Sequence, residues 1–324
     1  MKRAVWLVAA LFMATSAHSF DLQAHRGGRG LYPENTLPAF AHALGLGVTT
    51  LELDCAITRD GVVVVSHDAL LNPEITRGKD GAWLALLGPA IWHLTYDELR
   101  RYDVGRIKPG TSYAARFPNQ HAVDGARMPR LAEVFELARR AGNDSVRFNI
   151  ETKTDPQHPE RTAEPERFAR KLIEVVRRAS MERRVAIQSF DWRTLRVVQQ
   201  EAPEISTVYL TAQQDFTDNI LARHAESPWT APLHVRHFGG SIPRMVKAAG
   251  GAVWSPYYAE ATRENVAEAQ RLGLKVIVWT VNSEAAMRRM IDLGVDGIIS
   301  DYPDRLRRVA GERGIALPAA TPLR

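Results

Sequence analysis

Cysteine is almost absent from this chain, which has one, Cys55, in 324 residues. A single cysteine excludes an intramolecular disulfide, so the fold depends on a core built from the 45% of residues that are hydrophobic. No neighbouring residue identifies a base that would activate Cys55 as a nucleophile. We therefore expect a small buried residue on a strand.

Long hydrophobic runs are also lacking after the first 19 residues, where no stretch approaches the roughly 20 apolar residues of a membrane-spanning helix. A basic N-terminus precedes an apolar run over residues 4–14. The small residues Ala17 and Ser19 then occupy the −3 and −1 positions of a cleavage site before Phe20. This pattern predicts a secretory signal peptide over residues 1–19, with a buried N-terminal helix as the alternative.

Export of a protein without disulfides is compatible with the periplasm, so we expect a periplasmic or secreted protein without stable membrane insertion.

A dense block of basic residues is missing too. The chain has 42 Lys and Arg against 37 Asp and Glu, and the arginines are scattered. Loss of residues 1–19 would remove one lysine and one arginine from a formal net charge of +5. This mild excess gives no indication of nucleic-acid binding.

Short β-branched runs alternate with amphipathic helical stretches along the rest of the chain. About eight strand–helix units over residues 20–314 are typical of an α/β fold, the (β/α)8 TIM barrel, with 315–324 as a C-terminal tail. The alternation breaks from about 69 to 130, which predicts an insertion lying over one face. A doubly wound open sheet is the alternative, but "GGRG" is a weak match to the glycine fingerprint of that fold.

Polar side chains recur at the carboxyl ends of the predicted strands, where a barrel carries its active site. The predicted strands include "LQAHRG" and "VVVVSHD", the second ending on His67. Residues i and i+2 of a strand point to the same face, so pairs with that spacing project together. The sites are His25 with Arg26, Glu52 with Asp54, His67 with Asp68, Glu151 with Lys153, and Gln188.

Three of these side chains, Glu52, Asp54 and Glu151, are carboxylates that would repel one another if they met without a cation. Oxygen-only ligands suit one divalent cation, Mg²⁺ or Ca²⁺. A zinc site would recruit the histidines and fewer carboxylates.

The two histidines, His25 and His67, suit acid–base catalysis near neutral pH. If they flank a phosphodiester, one takes a proton from the nucleophile and the other donates a proton to the leaving oxygen. Arg26 offers a forked donor to phosphate oxygens, and Lys153 a point charge. Trp279 ends a strand and either forms a wall of the substrate pocket or packs in the core.

Each feature alone has a purely structural alternative. A lone Glu-x-Asp is typical of an exposed strand face, a His-Arg before glycines of a turn, and His67 alone of a hydrogen-bonded core histidine. A solvated strand face does not repeat at strand ends across the chain, so the joint pattern favours a functional site.

These motifs resemble those of the glycerophosphodiester phosphodiesterase family. "HRGGRGLYPENTLPAF" is similar to its His-Arg-Gly…Pro-Glu-Asn-Thr signature, and "LELDCAITRDGVVVVSHD" to its Glu-x-Asp…His-Asp signature. The segments "LTYDELRRYDVG", "FNIETK", "IQSFD", "WTVN" and "DGIISDYPD" follow in the family's order. Departures are small: Arg130 stands where the family often has Thr, and Cys55 where Val is common.

The resemblance implies a barrel with a small inserted cap and a metal-dependent hydrolase of small glycerophosphodiesters, the deacylated remains of phospholipids. The products would be sn-glycerol 3-phosphate and an alcohol. The site residues that we expect are His25 and His67 for acid–base catalysis, Glu52, Asp54 and Glu151 for the metal, and Arg26, Lys153, Gln188 and Trp279 for phosphate or substrate.

Two other functions stay open. A phospholipase D-like enzyme would act on lysophospholipids or sphingolipids with the same site, and a non-catalytic protein would bind phosphodiesters without cleaving them. The first is favoured by apolar residues in the insertion: Trp83, Leu84, Leu86, Leu87, Ile91 and Trp92. The head group, the choice between Ca²⁺ and Mg²⁺, the choice between a cyclic intermediate and direct attack by water, and the oligomeric state also stay open.

Overall fold

The computed structural model describes residues 20–323. The predicted signal peptide over 1–19 lies outside the described residues, as does Arg324. The strands are β1 (Asp21–Ala24), β2 (Thr50–Ile57), β3 (Val63–Val65), β4 (Arg147–Thr152), β5 (Val185–Ser189), β6 (Ser206–Thr211), β7 (Gln213–Gln214), β8 (Thr217–Asp218), β9 (Val253–Pro256), β10 (Lys275–Val278) and β11 (Gly297–Ser300). The helices are α1 (Leu37–Leu46), α2 (Tyr96–Leu99), α3 (Ser112–Arg116), α4 (Leu131–Arg140), α5 (Pro165–Arg178), α6 (Trp192–Glu201), α7 (Ile242–Ala248), α8 (Arg263–Arg271), α9 (Glu284–Leu293) and α10 (Pro303–Glu312).

Within residues 20–323, eight parallel strands form a closed barrel in the order β1-β2-β4-β5-β6-β9-β10-β11, and β11 pairs with β1. Helices lie between successive strands, which confirms the predicted TIM barrel. All eight residues of β2 are buried, as expected for a parallel strand covered on both faces.

Helix α1 shows how local sequence sets the bounds of an element. The side chain of Thr36 accepts a hydrogen bond from the backbone N–H of Ala39 and caps the first turn. Gly47 ends the helix with a φ of 85°, a left-handed conformation that glycine adopts without a steric penalty.

Two predicted strands differ from the structure. Strand β1 ends at Ala24, and His25–Gly27 form a 3₁₀ turn in which Arg26 has a left-handed backbone. Strand β3 ends at Val65, ahead of His67, and pairs antiparallel with β2, so it is not a barrel strand. The reason is the short link between β2 and β3, which allows a hairpin but not the crossover that parallel neighbours need. This hairpin returns the chain to the level of Asp54, whose carbonyl accepts from the backbone N–H of Ser66.

The segment from 69 to 130 carries α2, α3 and a small apolar cluster of its own. Leu71, Ile91, Leu99, Val104 and Met128 pack there against Ala56 and Val64 of the β2–β3 hairpin. Tyr113 and Arg116 of α3 reach the cavity that the strand ends also line.

The main core lies between the strands and the helices, whereas the barrel interior is divided. Val208, Val253, Ile277 and Ile299 form an apolar cluster that faces inward from β6, β9, β10 and β11. The side chains of Gln23, Asn149 and Gln188 are buried and hydrogen-bonded to one another on the other side. No helix among residues 20–323 combines the length and apolarity needed to cross a bilayer.

Candidate active site

A cavity of about 1250 Å³ opens at the carboxyl ends of the barrel strands. It is lined by residues of β2, β4, β5, β6 and β11, by residues that directly follow β1 and β10, and by residues of the insertion. Eight of the nine predicted site residues line it: His25, Arg26, Glu52, His67, Glu151, Lys153, Gln188 and Trp279. The ninth, Asp54, lies beside Glu52 and Glu151.

Carboxylate oxygens of Glu52, Asp54 and Glu151 all lie within 4.8 Å of one another, and the three side chains are buried. Strand pairing explains the cluster. Glu52 and Asp54 share the inward face of β2, and Asp54 stands opposite Glu151 of β4 in the parallel register. The arrangement offers three oxygen donors to one hard cation.

The electrostatics of this cluster fit a divalent cation. Burial, together with the charge of Asp54, raises the pKa of Glu52 well above its usual range. Burial likewise raises the pKa of Glu151 to about 7. Among the described residues, the buried Oδ1 of Asp54 has no hydrogen-bond partner. A cation at this point would satisfy that oxygen and offset the crowded negative charge.

Asp54 itself stays ionised. Burial opposes ionisation, but nearby His67, Arg26 and Lys153 hold the pKa of the Asp54 carboxyl below its usual range. Its Oδ2 accepts from Nδ2 of Asn35 at 2.9 Å.

Glu52 is held from two sides. Its Oε1 accepts from Nε2 of Gln188 at 2.7 Å, and its Oε2 accepts from the backbone N–H of Arg26 at 2.8 Å. Gln188 in turn accepts from Nδ2 of Asn149 at 2.8 Å. Gln188, which the sequence predicts as a substrate contact, thus binds the carboxylate of Glu52 while it lines the cavity.

Each candidate catalytic histidine has a carboxylate on Nδ1. For His25 this is Oδ1 of Asp301, at 2.5 Å, and Nε2 lies 3.9 Å from Oε2 of Glu52. For His67 it is Oδ1 of Asp68, at 2.7 Å. Burial lowers the pKa of His25 to about 4 and also lowers that of His67. Both imidazoles are therefore neutral near pH 7.

The two candidate phosphate-binding cations lie against the acidic cluster. Nη1 of Arg26 is 2.6 Å from Oε1 of Glu34, and its Nε is 3.4 Å from Oδ2 of Asp54. Nζ of Lys153 is 2.7 Å from Oε1 of Glu151. Burial disfavours the ammonium, but the neighbouring Glu151 and Asp54 raise the pKa of Lys153. Both cations are charged and border the cavity.

Trp279 lines the cavity and also packs, so both predicted roles have a structural basis. Its ring makes edge contacts with Phe190 and Tyr257 at centroid distances of 5.3 Å and 5.6 Å, and its Nε1 donates to the carbonyl of Ser255. All three rings line the cavity.

The rim of the cavity exposes large apolar side chains. Leu86 and Leu87 of the insertion are 80% and 67% exposed, and Phe216, in the turn between β7 and β8, is 64% exposed. Leu87 and Phe216 both line the cavity.

The sequence reasoning missed several residues that hold the site together. Asp301 contacts His25, and Glu34 contacts both Arg26 and the hydroxyl of Tyr113. The strand-end rule could have found Asp301, which follows β11 directly. Nothing in the irregular insertion marks Tyr113.

A family model and several known proteins match most of this chain. The model of the glycerophosphoryl diester phosphodiesterase family matches residues 25–305. A glycerophosphodiester phosphodiesterase of Caldanaerobacter subterraneus subsp. tengcongensis is 31% identical over 292 residues, which are 90% of this chain and 98% of the relative. The lysophospholipase D GDPD1 of Homo sapiens is 26% identical over 293 residues, 87% of this chain and 83% of the relative.

Solved structures show the same fold. A crystal structure from Silicibacter pomeroyi DSS-3, assigned to the glycerophosphoryl diester phosphodiesterases, matches with 38% identity and a TM-score of 0.82 over 92% of this chain and 95% of that one. An Oleispira antarctica phosphodiesterase in complex with the product sn-glycerol-3-phosphate matches with a TM-score of 0.65 and 21% identity, over 90% of this chain and 97% of that one.

Proposed function

Because the chain belongs to the glycerophosphoryl diester phosphodiesterase family and is a phosphodiesterase of that kind, we propose that it hydrolyses glycerophosphodiesters to sn-glycerol 3-phosphate and an alcohol with one divalent cation. The observation that carries the proposal is the acidic cluster of Glu52, Asp54 and Glu151, which lies beside two histidines that line the same cavity. A protein that only binds phosphodiesters has no need of two proton-transfer groups.

Glu52, Asp54 and Glu151 would hold the cation, which is Ca²⁺ or Mg²⁺ on the chemistry of the donors. When bound, such an ion offsets the negative charge that develops on the phosphate oxygens. Arg26 and Lys153 orient the phosphate through charge-assisted hydrogen bonds from the same side of the cavity.

His25 and His67 divide the proton transfers. In each imidazole a carboxylate occupies Nδ1, so Nε2 is the nitrogen left for substrate. The histidine that acts as base is neutral and takes the proton of the nucleophile on Nε2. The histidine that acts as acid must enter the reaction as the imidazolium, a form that the negative charge of the bound phosphate favours, and it donates its Nε2 proton to the leaving oxygen. The nucleophile is either the glycerol hydroxyl next to the phosphate, which gives a cyclic intermediate that water opens, or water itself. A substrate without that hydroxyl separates the routes, since unimpaired turnover excludes the cyclic one.

The test is release of sn-glycerol 3-phosphate from a panel of glycerophosphodiesters by residues 20–324, with Ca²⁺, Mg²⁺ or a chelator. We expect activity with a cation and none with the chelator. His25→Ala and His67→Ala should each lose at least about 100-fold in kcat and still bind the cation in calorimetry.

His93 provides the matched control, because it is exposed in the insertion. His93→Ala should keep wild-type activity. Full activity in either of the other two alanine variants would overturn the catalytic assignment. Failure to release alcohol with either ion would support the non-catalytic alternative.

A second candidate function is phospholipase D-like cleavage of lysophospholipids or sphingolipids. Leu87 and Phe216 extend an apolar surface from the cavity to solvent, where an acyl chain could lie. The human relative at 26% identity is a lysophospholipase D. If so, the double variant Leu86→Ser/Leu87→Ser should turn over lysophosphatidylcholine more slowly than the wild-type protein and glycerophosphocholine at the same rate. Leu317→Ser, which changes another exposed leucine, is the control. A wild-type protein that leaves lysolipid and sphingomyelin intact excludes this function.

We also propose that the protein is exported, because its first 19 residues have the pattern of a signal peptide. N-terminal sequencing of the protein recovered outside the cytoplasm should begin at Phe20. Recovery of the intact N-terminus would contradict cleavage.

A further inference from the structure

Asp301 directly follows the last barrel strand, and its carboxylate contacts three side chains outside the acidic cluster. It is 1% exposed. Its Oδ1 lies 2.5 Å from Nδ1 of His25 and accepts from Nε of Arg29 at 2.7 Å, and its Oδ2 accepts from Nδ2 of Asn282 at 2.7 Å. The sequence analysis gave this residue no role.

These contacts determine which nitrogen of His25 carries the proton. Arg29 and Asn282 each donate to the Asp301 carboxylate, and they leave it able to act only as an acceptor toward His25. Nδ1 of His25 must therefore carry a hydrogen. In a neutral imidazole the other nitrogen, Nε2, is then a lone pair, and it is the nitrogen on the side of Glu52.

The orientation of the carboxylate is itself fixed. Oδ1 of Asn282 accepts from the backbone N–H of Asp301 at 2.9 Å, so the two residues are joined by two hydrogen bonds. Arg29 is tied to the insertion, because its Nη1 donates to the hydroxyl of Tyr113 at 3.2 Å and its carbonyl accepts from Nε2 of Gln120 at 2.7 Å. The carboxylate cannot rotate without breaking several of these bonds.

We propose that Asp301 is a positioning residue of this enzyme, which fixes the His25 ring with the proton on Nδ1 and keeps Nε2 bare toward the cavity. The inference rests on the proposed function, since it takes His25 as an acid–base group. Asp301 lines the cavity, but in this role it acts through its hydrogen bond to His25. Its loss should therefore reduce kcat and leave the cation affinity intact.

Asp301→Asn tests the proposal because it keeps the size of the side chain but places an N–H donor among groups that also donate. We expect kcat for glycerophosphocholine to fall at least about 100-fold, while KM and the Ca²⁺ dissociation constant change by less than about threefold. Unchanged kcat in a folded Asp301→Asn protein would overturn the inference.

Asp191 is the matched control. It follows strand β5, is 0% exposed, and forms a bidentate pair with Arg193 at 2.7 Å and 2.8 Å. Among the described residues it contacts no histidine and does not line the cavity. Asp191→Asn should lower stability about as much as Asp301→Asn and keep wild-type kcat. An equal loss of kcat in both variants would indicate a general structural effect and overturn the positioning role.

The ¹⁵N chemical shifts of the His25 ring supply a readout that does not depend on turnover or on a folded variant. The proposal predicts that neutral His25 in the wild-type protein has its proton on Nδ1. A proton on Nε2 would overturn the inference even in a fully active enzyme. By contrast, a wild-type protein with the Nδ1 proton that never releases sn-glycerol 3-phosphate would contradict the proposed function instead.

Discussion

Gln188→Met separates two roles for a residue that lines the cavity and also donates to Glu52. The substitution keeps the length of the side chain and removes the Nε2 donor. The buried Oε1 of Glu52 then loses a partner at 2.7 Å, while Asn149 keeps its bond to Gln23. Because cation binding requires ionised Glu52, the loss of this hydrogen bond destabilises the form of Glu52 that binds the cation.

The expected loss of cation affinity follows from the difference in strength between the Gln188 hydrogen bond to ionised Glu52 and the same bond to neutral Glu52. A hydrogen bond to a charged group contributes about 1.5–3 kcal/mol, and a bond between neutral groups contributes about 0.5–1.5 kcal/mol. Burial raises the pKa of Glu52 and so favours the neutral carboxyl in the cation-free protein. The difference of about 1 to 1.5 kcal/mol corresponds to a roughly tenfold weaker cation affinity, within the range for residues that support metal ligands.

Isothermal titration calorimetry with Ca²⁺ measures this change, with Gln199→Met as the control. Gln199 also donates from Nε2, to the hydroxyl of Tyr209, but lies on α6 away from the cavity. We expect a wild-type dissociation constant for the control. A Gln188→Met protein with wild-type cation affinity and a raised KM would refute the reasoning and make Gln188 a substrate contact.

Three further predictions concern residues around the site. Without a cation, in a chelator, protonation of Glu151, whose pKa is raised to about 7, stabilises the folded protein at acidic pH, and this contribution is lost as pH rises through 7. Glu151→Gln should therefore flatten the decline of Tm between about pH 5 and 8. An unchanged pH dependence of Tm would contradict this. Cys55→Val should keep activity and change the free energy of unfolding by less than about 1.5 kcal/mol, because Cys55 is a buried strand residue and is not the nucleophile. Loss of turnover in a stable Cys55→Val protein would contradict this structural role. Tyr113→Phe removes the hydroxyl that contacts Glu34 and Arg29, and denaturant titration should show a loss of about 1–3 kcal/mol, whereas no change would exclude a stabilising role for that contact.

The sequence predicted the elements with local signals best. Thr36 and Gly47 mark both ends of α1, and the alternation of strands and helices was sufficient for the barrel. The sequence prediction was wrong for β3, which it took for a buried strand ending on His67, because a short apolar run has the same pattern in a hairpin as in a buried parallel strand. Only the short link to β2 distinguishes them.

The candidate site could be predicted as a set of strand ends but not as a network. Glu52, Asp54 and Glu151 follow from a spacing of two and adjacent strands. The partners of the histidines and of the basic side chains could not be predicted in this way. Asp301 contacts His25 across 276 positions of sequence, and Tyr113 comes from an irregular insertion. Such contacts depend on barrel closure and on side-chain packing, which no local pattern encodes.

A crystal structure of the protein with Ca²⁺ and sn-glycerol 3-phosphate tests the central claim most directly. The account predicts one cation with oxygens of Glu52, Asp54 and Glu151 at about 2.3–2.6 Å, and a phosphate between the imidazoles of His25 and His67. A cation bound elsewhere, or a phosphate that contacts neither histidine, would contradict it.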